Sequence, residues 1–127
     1  MRVALDTNRY VDLCRGDPEV VACLEAADAV FVPFVVVVEL RAGFVLGDRS
    51  DTNERVLRAF LSKPGVETLY AGDGTTRAYA ALYKQLRQQG TPIPTNDLWI
   101  AALVVERGLA LYSRDRHFAN LPQLSLL

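Results

Sequence analysis

Four acidic side chains lie where apolar segments of the chain end, begin or are interrupted: Asp6, Glu39, Asp97 and Asp115. Asp6 and Asp115 follow short apolar runs, and Asp97 precedes one. Glu39 interrupts the longest apolar run, residues 30–40. A carboxylate beside core-forming sequence loses hydration, which is costly unless a cation or hydrogen-bond donors satisfy its charge. If the four carboxylates converge, they form a site for a cation.

The residue types around these acids favour a hard cation. The chain has a single histidine and two cysteines, and none of them lies in a cluster typical of a zinc site. Oxygen ligands suit Mg²⁺ or Mn²⁺ rather than Zn²⁺. Four carboxylates can hold one or two such ions, and two ions about 4 Å apart support in-line displacement at phosphorus. This chemistry needs no nucleophilic side chain, and the sequence shows no Ser-His-Asp or Cys-His arrangement.

Each acid also has an ordinary structural interpretation. Asp6 suits a cap after a strand, and Asp115 suits a turn or the start of a short helix. Asp97 suits the first turn of a helix, where the helix dipole favours negative charge. Glu39 suits an ion pair with Arg41. The joint placement of the four acids is therefore more informative than any one of them.

Composition indicates one globular domain covering residues 1–127. Half of the residues are hydrophobic and 23% are charged, which is ordinary for such a domain. No apolar stretch reaches the roughly 18 residues of a membrane span, and no signal-peptide pattern precedes the first strand. We therefore expect a cytoplasmic protein with free thiols at Cys14 and Cys23 and no membrane contact. The net charge of −1 argues against a general polyanion binder.

Strand-like and helix-like segments alternate along the chain. Predicted strands cover residues 2–5, 30–32, 66–69, 109–112 and 124–127. Predicted helices cover residues 18–27, 52–61, 73–89 and 95–107, with a short helix or turn at 117–121; Asp17, Asp73 and Thr95 are the expected N-caps. This alternation predicts an α/β fold with a parallel sheet and helices on both faces.

Residues 34–46 are ambiguous in this pattern. The valines at positions 35–38 favour a strand by propensity. The same stretch also fits a buried helix, and periodicity cannot distinguish the two in a short apolar run. The orientation of Glu39 depends on the answer.

The predicted topology brings three of the four acids to one edge of the sheet. Ligands of parallel sheets bind outside the carboxyl ends of the strands. Asp6 and Asp115 follow strand ends, and Asp97 lies at a helix start, which faces the same edge. Asp12, one turn into a first helix expected soon after Asp6, is a further candidate for this group, although a surface position is favoured.

The chain resembles the PIN domain family, specifically the VapC-type ribonuclease toxins of bacterial type II toxin–antitoxin modules. The resemblance covers almost the whole chain and rests on four motifs in the family's order and spacing: LDTN (residues 5–8), VELRAGF (38–44), NDLWIAA (96–102) and SRDRHF (113–118). It implies a three-layer α/β/α PIN-like fold with a central parallel sheet of four to five strands. It also implies Mg²⁺- or Mn²⁺-dependent cleavage of RNA, with Pro33 between the second strand and a helix that carries Glu39.

The resemblance also assigns roles to individual residues. Asp6, Glu39, Asp97 and Asp115 match the metal-binding acids of the family, and Ser113 matches a serine or threonine that orders the site by hydrogen bonding. Asn8 and Asn96 match polar positions around the acids. Arg9 and Tyr10 depart from the common pattern, and they suit contact with a phosphate and stacking on a base, or plain helix packing.

The same resemblance implies protein partners, and the sequence also leaves an alternative function to consider. The family forms homodimers and is silenced by a small antitoxin protein whose tail lies across the active site; the apolar segment 34–46 is a candidate interface. A catalytically inactive RNA-binding or interaction module of the same fold is the alternative function. Phosphoacceptor receiver domains and haloacid-dehalogenase-type phosphatases fit poorly, because Asp6 lacks a paired acid nearby. The sequence does not identify which RNA is cut.

Overall fold

The short apolar runs of the sequence form one parallel sheet in the computed structural model, which describes residues 1–127. The strands are β1 (Arg2–Leu5), β2 (Ala29–Pro33), β3 (Val66–Leu69), β4 (Ala110–Tyr112) and β5 (Ser125–Leu126). They are arranged in the order β3-β2-β1-β4-β5, and every neighbouring pair is parallel. The predicted α/β class and the parallel sheet are confirmed, with five strands.

Helices connect the strands and form the outer layers of the three-layer fold. They are α1 (Thr7–Cys14), α2 (Pro18–Ala26), α3 (Phe34–Leu46), α4 (Ser50–Leu61), α5 (Asp73–Gln89), α6 (Thr95–Arg107) and a short 3₁₀ helix at Arg116–Asn120. Asp17 caps α2 as predicted and accepts hydrogen bonds from the amides of Glu19 and Val20. The predicted caps Asp73 and Thr95 are wrong by one residue, since Gly72 and Pro94 occupy those positions.

The valine-rich segment after β2 is a helix. Pro33 is the last residue of β2, and a proline has no N–H group to continue the ladder of a sheet. The following helix α3 buries Val35, Val36 and Val37 in the core. Burial of these side chains outweighs their strand propensity, which is worth at most about 1 kcal/mol per residue. The placement of Glu39 on a helix, which the resemblance implied, is therefore confirmed.

The central position of β1 determines where the first acid lies. Val3, Ala4 and Leu5 are completely buried because β1 has a strand on each side and helices above and below. The amide of Asp6 extends the ladder by donating to the carbonyl of Tyr112. Asp6 therefore leaves the sheet at the middle of its carboxyl edge.

Neither cysteine forms a disulfide, and Cys14 is exposed. None of the helices combines the length and the apolar character that a membrane span requires.

Candidate active site

Asp6 lies at the centre of a hydrogen-bond network at the carboxyl edge of the sheet. Its side chain is almost fully buried, and its Oδ1 caps α1 by accepting from the amide of Thr7. The hydroxyl of Ser113 donates to Asp6 Oδ2 at 2.5 Å, and Asn8 Nδ2 donates to the same oxygen at 3.3 Å. The capping role and the site role expected for Asp6 are thus compatible, since each uses a different oxygen.

Ser113 connects Asp6 to the last acid. Its hydroxyl oxygen accepts a hydrogen bond from the amide of Asp115 at 2.9 Å while its proton is donated to Asp6. Asn8 adds a second link, because its Oδ1 accepts from the amide of Arg114 at 3.1 Å. The loop after β4 is therefore fixed to the loop after β1.

Asp97 and Asp115 meet through the only histidine of the chain. The Nδ1 atom of His117 lies 2.8 Å from Asp97 Oδ2 and 2.9 Å from Asp115 Oδ1. Asp115 also caps the 3₁₀ helix by accepting from the amide of His117. One ligand atom from each of these three side chains lies within 4.8 Å of the other two.

Glu39 reaches the same group of acids from α3. Its Oε1 accepts a hydrogen bond from the hydroxyl of Thr7, the residue directly after Asp6. The alternative pairing with Arg41 is wrong, because Arg41 forms a bidentate ion pair with Glu54. All four acids predicted from the sequence consequently lie around one point at the carboxyl edge.

Electrostatic effects link the acids to one another through Asp6. Burial raises the pKa of Asp6, against the lowering effect of the hydrogen bonds from Ser113 and Thr7. The charges of Glu39 and Asp115 raise it further. Burial likewise raises the pKa of Asp97, and Asp115 and Asp6 add to the effect. Without a cation, this site favours bound protons.

His117 was not predicted as a site residue. A single histidine two residues after an acid carries no signal in the sequence, because its contact with Asp97 joins residues twenty positions apart. The hydrogen bond to Asp97 raises the pKa of His117, and the charge of Asp115 acts in the same direction. Protonated His117 therefore supplies positive charge to the two carboxylates.

We expect the metal-free protein to melt at a higher temperature near pH 6 than near pH 8. The raised pKa of His117 means that its stabilising effect is complete below the ordinary histidine pKa and is lost as the pH rises through the folded-state pKa. The raised pKa values of Asp6 and Asp97 also favour the folded state at lower pH, and their effect begins to be lost as the pH rises above the ordinary aspartate pKa. Thermal melts with a chelator present measure the difference, and His117→Gln should reduce it. An unchanged pH dependence in His117→Gln would refute the role of the histidine.

Arg9 and Asp12 form a separate ion-pair network beside the acids. Asp12 accepts two hydrogen bonds from Arg114 and one from Arg9, and the Arg114 pair lowers the pKa of Asp12. The guanidinium of Arg9 also lies 4.5 Å from the centre of the Tyr112 ring. Asp12 therefore balances arginine charge instead of joining the acidic group.

Two further sequence candidates lie outside the hydrogen-bond network of the acids. Tyr10 is buried against Phe60 in an edge-to-face contact, so the helix-packing interpretation is correct and base stacking is excluded. Asn96 is exposed at the first turn of α6, directly before Asp97.

The donor set fits a divalent cation. Four carboxylates and no thiolate offer the oxygen ligands that Mg²⁺ and Mn²⁺ prefer. Burial, with a further contribution from neighbouring carboxylates, raises the pKa of Asp6 and Asp97, and a bound cation would stabilise their ionised forms. A cation there would replace the protons and also the positive charge that His117 supplies.

Comparison with known proteins gives consistent matches over most of the chain or all of it. The family model of the PIN domain matches residues 3–124. Ribonuclease VapC5 of Mycobacterium tuberculosis (strain ATCC 25618 / H37Rv) is 34% identical over 94 residues, which cover 74% of this chain and 70% of that protein.

Two solved structures show the same fold. VapBC2 from Rickettsia felis, bound to a DNA fragment from its promoter, superposes with a TM-score of 0.89 at 26% identity and covers 100% of this chain and 98% of that chain. VapBC-5 from Mycobacterium tuberculosis, a member of the VapBC family of toxin–antitoxin systems, gives a TM-score of 0.72 at 28% identity, with 99% and 95% covered.

Proposed function

The chain belongs to the PIN domain family, and from this premise we propose that it is a metal-dependent endoribonuclease of the VapC type, the toxin of a toxin–antitoxin pair. The observation that carries the proposal is the convergence of Asp6, Glu39, Asp97 and Asp115 at the carboxyl edge of the sheet. A relative that matches most of the chain is a ribonuclease by name. The substrate is RNA, and the reaction is hydrolysis of a phosphodiester bond.

The four acids would hold one or two Mg²⁺ or Mn²⁺ ions. A bound ion of this kind supplies a Lewis acid that activates water and stabilises negative charge at phosphorus. Ser113 keeps the carboxylate of Asp6 in one orientation and ties Asp115 to it. Asn8 supports both contacts from α1. Asn96 is exposed beside Asp97, where it is available to contact substrate.

The direct test is an RNA cleavage assay with purified protein. We expect cleavage with Mg²⁺ or Mn²⁺ and none with a chelator. The alternative function, an inactive RNA-binding or interaction module, predicts RNA binding without cleavage under both conditions. A complete set of four acids favours the enzyme, since an inactive module has no need to keep four mutually repelling carboxylates together.

Replacing Ser113 should slow cleavage without unfolding the protein. Ser113→Ala removes the hydrogen bond to Asp6 and the acceptor for the amide of Asp115. We expect a loss of about tenfold to a hundredfold, the usual cost of losing a group that orients a metal ligand. Ser113→Thr keeps the hydroxyl and should retain most of the rate.

Ser62→Ala is the matched control, because Ser62 is exposed at the end of α4 and bonds only a backbone carbonyl of its own helix. Equal rates for Ser113→Ala and Ser62→Ala would remove Ser113 from the site.

An antitoxin is the expected protein partner, since the solved VapBC structures are toxin–antitoxin complexes. A largely apolar cavity of about 680 Å³ between α1, α2 and α4 supports such a partner. Its wall includes Leu24, Phe60 and the start of β3 at Val66, so it opens away from the acids. A cavity of this character suits an apolar protein segment better than a phosphodiester.

A homodimer is also part of the proposal. Val45 and Leu46 at the end of α3 are 73% and 89% exposed, although both are strongly apolar. Exposed apolar residues side by side favour a contact with another protein surface. They belong to the segment that the sequence suggested for this role.

A further inference from the structure

Four aromatic rings form a strip next to the acids, which we call the aromatic strip: Tyr70, Phe34, Trp99 and Tyr79. Tyr70 and Phe34 are stacked with ring centres 6.5 Å apart and an interplanar angle of 18°. Phe34 meets Trp99 edge-on at 6.1 Å, and Trp99 lies 4.7 Å from Tyr79. The strip therefore crosses from the end of β3 to α5 without a gap.

The topology places one end of the strip beside Asp6. Pro33 of β2 pairs with Leu69 of β3, so Phe34 and Tyr70 directly follow paired residues at the carboxyl edge. β1 lies on the other side of β2 and ends directly before Asp6. Neighbouring strands are about 4.8 Å apart, which puts the ends of β1 and β3 roughly 10 Å from each other.

The two helices that carry Asp97 and Glu39 also carry rings of the strip. Trp99 lies two residues after Asp97 on α6, and Phe34 lies five residues before Glu39 on α3. These spacings put Trp99 and Phe34 on other faces of their helices than the acids, so the helices fix only the height of the rings along the helix axes, within roughly 8 Å of an acid. The strand order and register are what place Phe34 and Tyr70 beside the acidic group, on the side of β2 and β3.

Core packing explains only part of the strip. Phe34, Trp99 and Tyr79 are half-buried and contact the hydrophobic core. Tyr70 is 69% exposed, and the face of its ring that is turned away from Phe34 packs against no other aromatic ring. An exposed flat ring beside a phosphodiester-cleaving site is suited to stacking with a nucleobase.

Positive charge lies near the exposed end of the strip. Arg41 lies within electrostatic range of Tyr70 and is half-exposed. Glu54 binds both Arg41 and Arg58, so this group of three side chains keeps one positive charge. A phosphate of the RNA backbone next to a base stacked on Tyr70 would lie near this positive charge.

We propose that the aromatic strip is a binding site for an unpaired base of the RNA substrate, stacked on Tyr70 next to the phosphodiester that the acids address. The site selects single-stranded RNA, because a base inside a duplex is already stacked on both faces and cannot reach the ring. This inference rests on the proposed ribonuclease function, and it adds Tyr70 as a residue that contacts the substrate.

Trp99 is the only tryptophan of the chain, so its fluorescence reports directly on the strip. The experiment titrates the full protein with a short single-stranded oligoadenylate in the presence of a chelator, so that no cleavage occurs. We expect quenching of the tryptophan fluorescence, and much weaker quenching with a duplex RNA of the same length. Without metal, the four acids repel the RNA phosphates equally in every variant, so the affinities of the variants can still be compared.

Substitutions at Tyr70 separate stacking from apolar contact. Tyr70→Ala and Tyr70→Leu should weaken binding by about fivefold or more, since stacking on an aromatic side chain contributes strongly per base. Tyr70→Phe should bind like the wild type because it keeps the flat ring. Tyr83→Ala is the matched control, an exposed tyrosine on α5 whose ring neighbour is Arg87. Because Tyr70 is exposed, we expect these variants to fold.

Each alternative outcome has a definite meaning. Wild-type affinity in Tyr70→Ala, or equal affinity in Tyr70→Leu and Tyr70→Phe, overturns the proposal. It is also overturned if Tyr70→Ala dissociates a dimer without changing RNA affinity, which would make the strip a contact between two copies. If the wild type binds RNA through Tyr70 but cleaves nothing with Mg²⁺ or Mn²⁺, the strip is supported and the ribonuclease function fails.

Discussion

Asp97→Asn should abolish RNA cleavage while the fold remains intact. The substitution replaces an anionic oxygen ligand by a neutral amide at the point where Asp115 and His117 meet Asp97. We expect the rate with Mg²⁺ or Mn²⁺ to fall by more than about a hundredfold, since losing even an outer partner of a ligand costs tenfold to a hundredfold. The measurement is cleavage of a single-stranded RNA by purified variant and wild type.

The same substitution should not destabilise the metal-free protein. Burial and the charges of Asp115 and Asp6 raise the pKa of Asp97, so a neutral side chain removes an unfavourable charge. Asp73→Asn is the matched control, because Asp73 occupies the first turn of α5, is exposed and pairs only with Arg77. Cleavage at the wild-type rate by pure Asp97→Asn protein would exclude Asp97 from the site.

Divalent metal should raise the melting temperature of the protein. Mg²⁺ or Mn²⁺ relieves the repulsion among carboxylates that only the folded chain brings together, so it binds the folded state selectively. At a concentration a hundredfold above the dissociation constant the stabilisation is about 2.7 kcal/mol. For a domain of this size, that corresponds to a shift of roughly 10 °C, which a thermal melt resolves easily.

Asp6→Asn tests whether this shift comes from the acidic group. The asparagine oxygen can still accept from the amide of Thr7 and so cap α1, so the fold should persist while the ligand charge is lost. We expect a smaller shift with metal than in the wild type, and a metal-free melting temperature at least as high. A wild-type protein whose melting temperature does not respond to either metal would count against the cation site as a whole.

Local sequence patterns predicted the parts of the fold that depend on near neighbours. The strand at 66–69 and the helix ends at Gln89 and Arg107 agree with the structure to the residue. The last two follow from Gly90 and Gly108, which adopt the left-handed conformation that glycine accepts readily. The N-caps of α5 and α6 were less accurate, because neither helix has a side-chain cap for a pattern to reveal.

Contacts between distant parts of the chain decided the rest. The helix at Phe34–Leu46 forms because burial of its valines outweighs their local preference for a strand. Asp12 also pairs with Arg114, which lies 102 residues further along the chain. Tyr70 and Phe34 stack because strand register brings them together.

In the candidate site, too, some features were predictable from the sequence and others depended on contacts between distant residues. By itself, the sequence determined the oxygen chemistry and brought Asp6, Asp97 and Asp115 to one edge, because parallel strands and the helices after them share that edge. The tertiary structure decided the position of Glu39 beside Thr7, the link from Asp6 to Ser113 and the bridging role of His117. Those contacts span 20 to 107 residues, and only a packed core holds such distant groups within hydrogen-bond range.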